Sequence, residues 1–111
     1  MAITRKVLYG SNLGCTKGTA LTASGLSLTG SGLFHGFMIK CDGTNDVTVN
    51  VYDNTEGSGT KLIPTDTVFD GTIKSNAYNC APPIIFDTGL YIKIAVAGAG
   101  TCEVIPLYNA D

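Results

Sequence analysis

The segment from Val47 to Asp53 reads VTVNVYD and constrains the fold more than any other part of the chain. Its three valines occupy every second position, and threonine, asparagine and tyrosine stand between and after them. Successive side chains of a β-strand point to opposite faces, so this spacing places all three valines on one face. We therefore predict a strand whose valine face packs against a hydrophobic core.

A hairpin is predicted around this strand. The run LFHGFMIKC, from Leu33 to Cys41, is followed by a turn over Asp42–Asp46, and the valine strand then returns. The turn begins with Asp-Gly, residue types that tolerate the positive φ of a tight connection. The two apolar runs are expected to pair.

A second hairpin is predicted near the C-terminus. Apolar residues alternate from Leu90 to Val96, small residues form a turn over 97–100, and a return strand covers 101–108. Pro106 has no N–H to donate to a sheet. The returning strand is therefore expected at a sheet edge, or to leave pairing at Pro106.

Turn residues divide the rest of the chain into shorter strands. Residues 14–32 are mostly small and polar and are broken by Gly25 and Gly30, and the strand over 60–63 ends at Pro64. About seven or eight short antiparallel strands in one chain are typical of a β-sandwich or jelly roll.

The length of 111 residues suits a single domain. We predict an all-β, single β-sandwich or jelly-roll-like domain over residues 12–111. Residues 1–11 are predicted to form an N-terminal arm or a first strand.

Charged side chains make up 14% of the residues, against about 25% in a typical soluble domain, and the mean hydropathy is positive. A chain so poor in charge is expected to cover part of its surface with other subunits. The alternative is a surface of Thr, Ser, Asn and Gly, which is soluble without charge.

The net charge of -2 gives no attraction to phosphate backbones or to anionic membranes. No apolar run approaches the ~18 residues that span a bilayer, and the N-terminus lacks the core of a signal peptide. Neither nucleic acid nor a membrane is predicted as a partner.

The four cysteines are widely spaced and include no C-x-x-C pair, which argues against a zinc ribbon or a redox motif. Without an export signal, reduced and mostly buried thiols are favoured. Two disulfides in any of three connectivities stay open as the alternative. The residues are Cys15, Cys41, Cys80 and Cys102.

His35 is the one histidine, and simple alternation puts it on the strand face of Leu33, Phe37 and Ile39. A lone histidine among apolar residues is more often structural than catalytic, because general-base work also needs an orienting partner and a nucleophile. A dyad with Cys41 is the enzymatic alternative. No G-x-S-x-G elbow occurs, so we predict no enzyme and no catalytic residues.

Two pairs of carboxylates are conceivable calcium ligands: Asp42 with Asp46, and Asp53 with Glu56. Neither pair matches the EF-hand spacing, and Asp, Asn and Gly are also the residues that tight turns require. The turn interpretation is favoured, and no metal or cofactor is predicted.

Sugar binding would require exposed aromatic platforms, and the chain has no tryptophan. Tyr52 and Tyr91 are the candidates, since both alternate away from the apolar faces of their strands. The favoured alternative is that they cover a second sheet or a subunit contact.

Two stretches of residues 30–108 carry a family resemblance. They read GLFHGFMIKCDGTNDVTVNVYDNTEGSGT and GLYIKIAVAGAGTCEVIPLY. With these strings the chain resembles small structural proteins of tailed bacteriophage virions. The resemblance implies a capsid decoration (cement) protein, or a tail or fibre component, that assembles in the host cytoplasm and stays on the virion.

The resemblance further implies a homotrimer whose partners are the major capsid protein or other virion proteins. A carbohydrate-binding or receptor-binding jelly-roll module is the rival hypothesis. Six residues are predicted as partner contacts, in the arm and on the strands: Ile3, Arg5, Val7, Tyr9, Tyr52 and Tyr91.

Overall fold

The computed structural model describes residues 14–111, and within this range the chain forms strands and no helix. The predicted arm over residues 1–11, with the proposed contacts Ile3, Arg5, Val7 and Tyr9, lies outside the described residues. The strands are β1 (Thr16–Lys17), β2 (Gly25–Thr29), β3 (Gly32–Cys41), β4 (Val47–Tyr52), β5 (Thr67–Phe69), β6 (Ser75–Phe86), β7 (Gly89–Val96) and β8 (Cys102–Ala110).

These eight strands form two four-stranded antiparallel sheets. Sheet A has the order β1-β8-β3-β6, and sheet B has the order β2-β7-β4-β5. The pairs are nested, because β1 pairs with β8, β2 with β7, β3 with β6 and β4 with β5. Additional pairing of β3 with β8 and of β4 with β7 completes the sheets. The all-β prediction is confirmed.

Neither predicted hairpin forms. β3 belongs to sheet A and β4 to sheet B, so the turn over Asp42–Asp46 crosses between the sheets. The chain crosses back between β7 and β8. Asp-Gly and Ala-Gly sequences permit a sharp reversal, but they do not determine whether the flanking strands pair with each other or with more distant strands.

The hydrophobic core lies between the two sheets. All three valines of β4 are fully buried, as the alternation predicts, and so are Leu90 and Ile92 of β7. Sheet A contributes Phe37, whose ring stacks on Tyr78 at 5.6 Å between centroids. The same ring meets Phe69 of sheet B edge-on at 5.4 Å, so aromatic contacts join the sheets.

A β-bulge in β3 overturns the predicted side for His35. The register with both neighbouring strands shifts between Phe34 and Gly36, and both Phe34 and Phe37 are fully buried. The extra residue reverses the alternation, so His35 shares the outer face with Leu33 but not with Phe37. Gly36 has a φ of +122°, and a Cβ there would overlap the carbonyl oxygen of Tyr78.

Pro106 lies in a central strand, not at an edge, because β8 runs between β1 and β3. Val104 exchanges both backbone hydrogen bonds with Leu21 on the β1 side, so the backbone groups of Pro106, two residues on, face the same way. Gly18 donates to the carbonyl of Pro106 at 2.8 Å. The backbone nitrogen of Pro106 therefore points toward β1, a strand of two residues. Its lack of a hydrogen removes no hydrogen bond between β8 and β3.

Candidate interaction surface

Tyr52 and Tyr91 are register partners on the outer face of sheet B, but they are not an exposed platform. Tyr52 is only 7% exposed, and Lys61 places its Nζ 5.7 Å from the centre of the Tyr52 ring. Tyr91 is half-buried beneath Gly57, where a Cβ would lie 3.1 Å from its ring. The loop after β4 folds over Tyr52, so this residue does not offer the exposed platform that the sugar-binding alternative requires.

That loop, residues 53–66, is fixed to sheet B by an amide of β4. Asn50, which is 8% exposed, donates through Nδ2 to Asp66 Oδ1 at 3.1 Å. The backbone N–H of Asp66 donates to Asn50 Oδ1 at 2.8 Å. These reciprocal bonds satisfy a buried polar side chain and hold the loop over one end of the outer face.

Within residues 14–111, no such loop covers much of the outer face of sheet A. Met38 is 40% exposed between its register partners Ala77 and Ile105. Ile85 is 68% exposed beside Leu33. Two rows of the sheet therefore present apolar side chains to solvent, and the row of Gly36, Asn79 and Leu107 lies between them.

Charged residues stand mainly at the borders of this face. Lys40 and Glu103 are register partners in the row next to Met38, and Lys17 pairs with Leu107 at the β1 edge. We define the outer face of sheet A by its apolar residues Leu33, Met38, Ala77, Ile85, Ile105 and Leu107.

Two grooves mark this side of the domain. The first has a volume of about 460 Å³ and lies around Met38, Ala77 and Ile105. The second, of about 660 Å³, lies where β6 passes through Pro82 and Pro83. Its other lining residues are Cys15, His35, Asn79, Cys80, Ala81 and Leu107.

One partner of His35 is a side-chain amide of β8. Its Nε2 lies 2.9 Å from Nδ2 of Asn109, which also donates to the carbonyl oxygen of Gly14 at 3.0 Å. Because the amide nitrogen is a donor, this network assigns Nε2 as the acceptor and the ring proton to Nδ1. Cys41 faces the core on the opposite side of sheet A, so the His35–Cys41 dyad does not form.

The first pair of candidate calcium ligands is occupied by N–H donors. The two carboxylate oxygens of Asp42 accept from the backbone N–H of Asn45, the amide of Asn45, and the backbone N–H of Thr44 and Thr101, at 2.8 to 3.1 Å. These donors hold the pKa of Asp42 well below its usual range. Asp46 accepts from the N–H of Gly71 at 2.9 Å.

Asp53 and Glu56, the second pair of candidate calcium ligands, also accept hydrogen bonds from nearby protein groups. Burial opposes ionisation of Asp53, but the N–H groups of Thr88, Asp87 and Gly89 together lower the pKa of Asp53. Glu56 accepts from the hydroxyl of Ser58 at 3.2 Å. Residues 14–111 contain no cluster of three or more His, Cys, Asp or Glu residues placed to hold a metal ion.

All four cysteines are free thiols. Cys41 and Cys102 are buried, Cys80 is half-buried and Cys15 is exposed, so burial is less general than the sequence suggested. Burial raises the pKa of the Cys80 thiol.

Sequence reasoning missed the outer face of sheet A. A signal was available in LFHGFMI, where apolar residues occupy both alternating sets of positions in one strand. A strand with this pattern places apolar side chains on both of its faces, including the outer one.

The described residues thus define an all-β domain of two sheets, one of which carries an apolar outer face. In the part of the chain that the structure describes, no helix has the length and apolar character to span a membrane. No family model, curated protein or solved structure matches the chain.

Proposed function

We propose that this protein is a non-enzymatic structural protein of a tailed-phage virion, a capsid decoration (cement) protein that binds the assembled head as a homotrimer. The observation that carries the proposal is the apolar outer face of sheet A, where Met38 and Ile85 are 40% and 68% exposed. Several exposed apolar side chains on one sheet face indicate an interaction site, because their burial against a partner is favourable.

The strand order supports a jelly-roll β-sandwich. In nested pairing, the first four strands and the last four form one long antiparallel ribbon, and here that ribbon is folded into two sheets. Eight-stranded jelly rolls occur in viral capsid proteins, and also in lectin domains and cupins. The fold therefore fits the proposal without selecting it among these functions.

The low charge and the exposed apolar side chains give the proposed binding a source of favourable free energy. Hydrophobic burial contributes roughly 25 cal/mol per Å² of apolar surface, so several exposed side chains supply useful affinity when they are covered together. A protein that binds only the assembled shell stabilises that shell by mass action. Lys17, Lys40 and Glu103, at the borders, would provide orientation and not the main affinity.

The surroundings of His35 support a non-enzymatic role. Among residues 14–111, the lining of the groove beside it includes two thiols and neither Asp nor Glu. Its ring nitrogen is 2.9 Å from an amide whose other bond goes to the backbone. This is the arrangement of a structural histidine.

Attachment to a tail or fibre, in place of the head, would use the same outer face. The carbohydrate-binding or receptor-binding alternative depends on Tyr91 alone, because Tyr52 is buried. A glycan array separates it from the assembly hypothesis: binding that Tyr91→Ala abolishes would favour the sugar-binding module.

The test combines native mass with particle binding. The purified chain is analysed by light scattering, then sedimented with empty heads of the capsid protein encoded in the same genome. Wild type is compared with Ile85→Lys on the outer face of sheet A. Val68→Lys is the matched control, since Val68 is 57% exposed on β5 of sheet B.

We expect a trimer that sediments with heads, and loss of sedimentation for Ile85→Lys with retention for Val68→Lys. A monomer that does not sediment with heads would contradict the proposal. Equal binding by the two variants would remove the outer face of sheet A from it.

A further inference from the structure

Cys41 and Cys102 stand directly opposite each other in neighbouring strands. They are register partners of β3 and β8, and both side chains point into the core. They are 2% and 7% exposed, at the end of sheet A where the chain crosses to sheet B. Partners in an antiparallel register share a face, so the two thiols are neighbours.

The direction of the backbone groups shows which kind of pair this is. The N–H of Cys41 donates to the carbonyl of Lys74 at 2.8 Å, away from β8. On β8, Val104 exchanges hydrogen bonds of 2.7 and 2.8 Å with Leu21, away from β3, and Cys102 is two residues earlier with the same orientation. The pair is therefore non-hydrogen-bonded.

This geometry permits a covalent bond. Cα atoms of non-hydrogen-bonded antiparallel partners lie about 4.5 Å apart, with their side chains closer than at the alternate positions. Disulfides span Cα distances of roughly 4.4–6.8 Å, so the pair falls within this range at its short end. The strands need not separate or change register for the bond to form.

We propose that Cys41 and Cys102 form an intrachain disulfide in oxidising surroundings, which joins β3 to β8 and is reversed by thiols. The oxidant is a small-molecule disulfide such as oxidised glutathione. One cysteine thiolate attacks a sulfur of the reagent and releases a thiol, and the second cysteine then displaces the other half. The protein loses two protons and two electrons, and the reagent is reduced to two thiols.

A groove of about 210 Å³ lies beside the pair. It is lined by both cysteines together with Thr22, Asp42 and Thr101. Burial, followed by the carboxylates of Asp42, Asp46 and Asp70, raises the pKa of the Cys41 thiol. Burial, Cys41 and Asp42 raise the pKa of Cys102. Both groups are thiols near neutral pH, so reducing surroundings leave the pair open.

The test uses the full chain with Cys15→Ser and Cys80→Ser, which leaves Cys41 and Cys102 as its cysteines. Incubation with oxidised glutathione at about pH 9, where the thiolate fraction is larger than at neutral pH, should lower the intact mass by about 2 Da. Peptide mapping should join Cys41 to Cys102, and dithiothreitol should restore the mass. Chains with a further Cys41→Ser or Cys102→Ser change should not lose this mass.

Because the bond forms within the native register, oxidation should also change the thermal stability of the chain. Because the bond closes a long loop, we expect the melting temperature of the oxidised chain to rise by about 10 °C, and dithiothreitol to reverse the rise. Retained thiols, stable glutathione adducts or a lowered melting temperature would overturn the inference. It is independent of the proposed function, since the purified chain is tested without particles.

Discussion

Asp42 accepts a hydrogen bond of 3.1 Å from the backbone N–H of Thr101, which joins two of the turns that cross between sheets A and B, those after β3 and after β7. The same turns are joined a second time, because Ala97 donates its N–H to the carbonyl of Asp46 at 2.9 Å. One carboxylate therefore organises its own turn and attaches it to a turn far along the sequence.

Replacing Asp42 with Asn should lower the melting temperature at pH 7. The folded state lowers the pKa of Asp42, so the ionised group stabilises the protein above its unfolded pKa of about 3.9. This stabilisation is lost as the pH falls through the folded pKa, and the gap from wild type should narrow below about pH 4. Thermal melts by circular dichroism at several pH values measure this difference in melting temperature.

Asp87→Asn is the control, because the Asp87 carboxylate is exposed and accepts no hydrogen bond within residues 14–111. It should change the melting temperature little at any pH. A gap for Asp42→Asn that stays constant as the pH falls would contradict the assigned role.

Gly36→Ala should prevent folding or destabilise the domain severely. The substitution meets both the positive φ of +122° and the overlap of Cβ with the carbonyl of Tyr78. Gly30→Ala isolates the first effect, since Gly30 has a φ of +107° but no atom within 4 Å of a Cβ. We expect Gly30→Ala to cost about 1 kcal/mol and Gly36→Ala several times more, measured by urea unfolding or soluble yield. Similar losses of stability in the two variants would disprove the close approach of Gly36 to the carbonyl of Tyr78.

Asn50→Ala should release the loop over residues 53–66. The change leaves the N–H of Asp66 without its acceptor, at a cost of about 1–3 kcal/mol. Lys61 in that loop is exposed, so trypsin should cleave after it faster than in wild type. Asn76→Ala, on exposed β6, provides the control. Unchanged cleavage after Lys61 would show that these bonds do not hold the loop.

Phe37→Ala should reduce the free energy of unfolding by about 3–5 kcal/mol. The ring is fully buried and contacts both Tyr78 and Phe69, so its removal leaves a cavity between the sheets. Val68→Ala, at an exposed site, should change stability by less than about 0.5 kcal/mol. Urea unfolding followed by tyrosine fluorescence distinguishes them, and comparable losses would argue against a core centred on Phe37.

The sequence predicted which face of a strand is buried better than it predicted which strands pair. The valines of β4 are fully buried as expected, because alternation is a local property of one strand. The partner of that strand is set by the whole chain, and β4 pairs with β7 and β5 instead of β3. The residues of a turn do not carry this information.

The candidate surface was predicted less well, for two physical reasons. One bulge at His35–Gly36 reversed the alternation in β3, and a bulge depends on the strand opposite as much as on the residues in it. Tyr52 is buried by a loop whose position depends on Asn50 and Asp66, so its own alternation could not reveal the cover.

The nested pairing favours a folding order that begins with the inner strands. β4 and β5 are separated by one loop, whereas Thr16 in β1 must find Tyr108 in β8. Closing such a long segment has a high entropic cost unless the inner pairs have already formed. Folding is therefore expected to proceed outward from β4 and β5, and during synthesis β1 gains its partner only after β8 has left the ribosome.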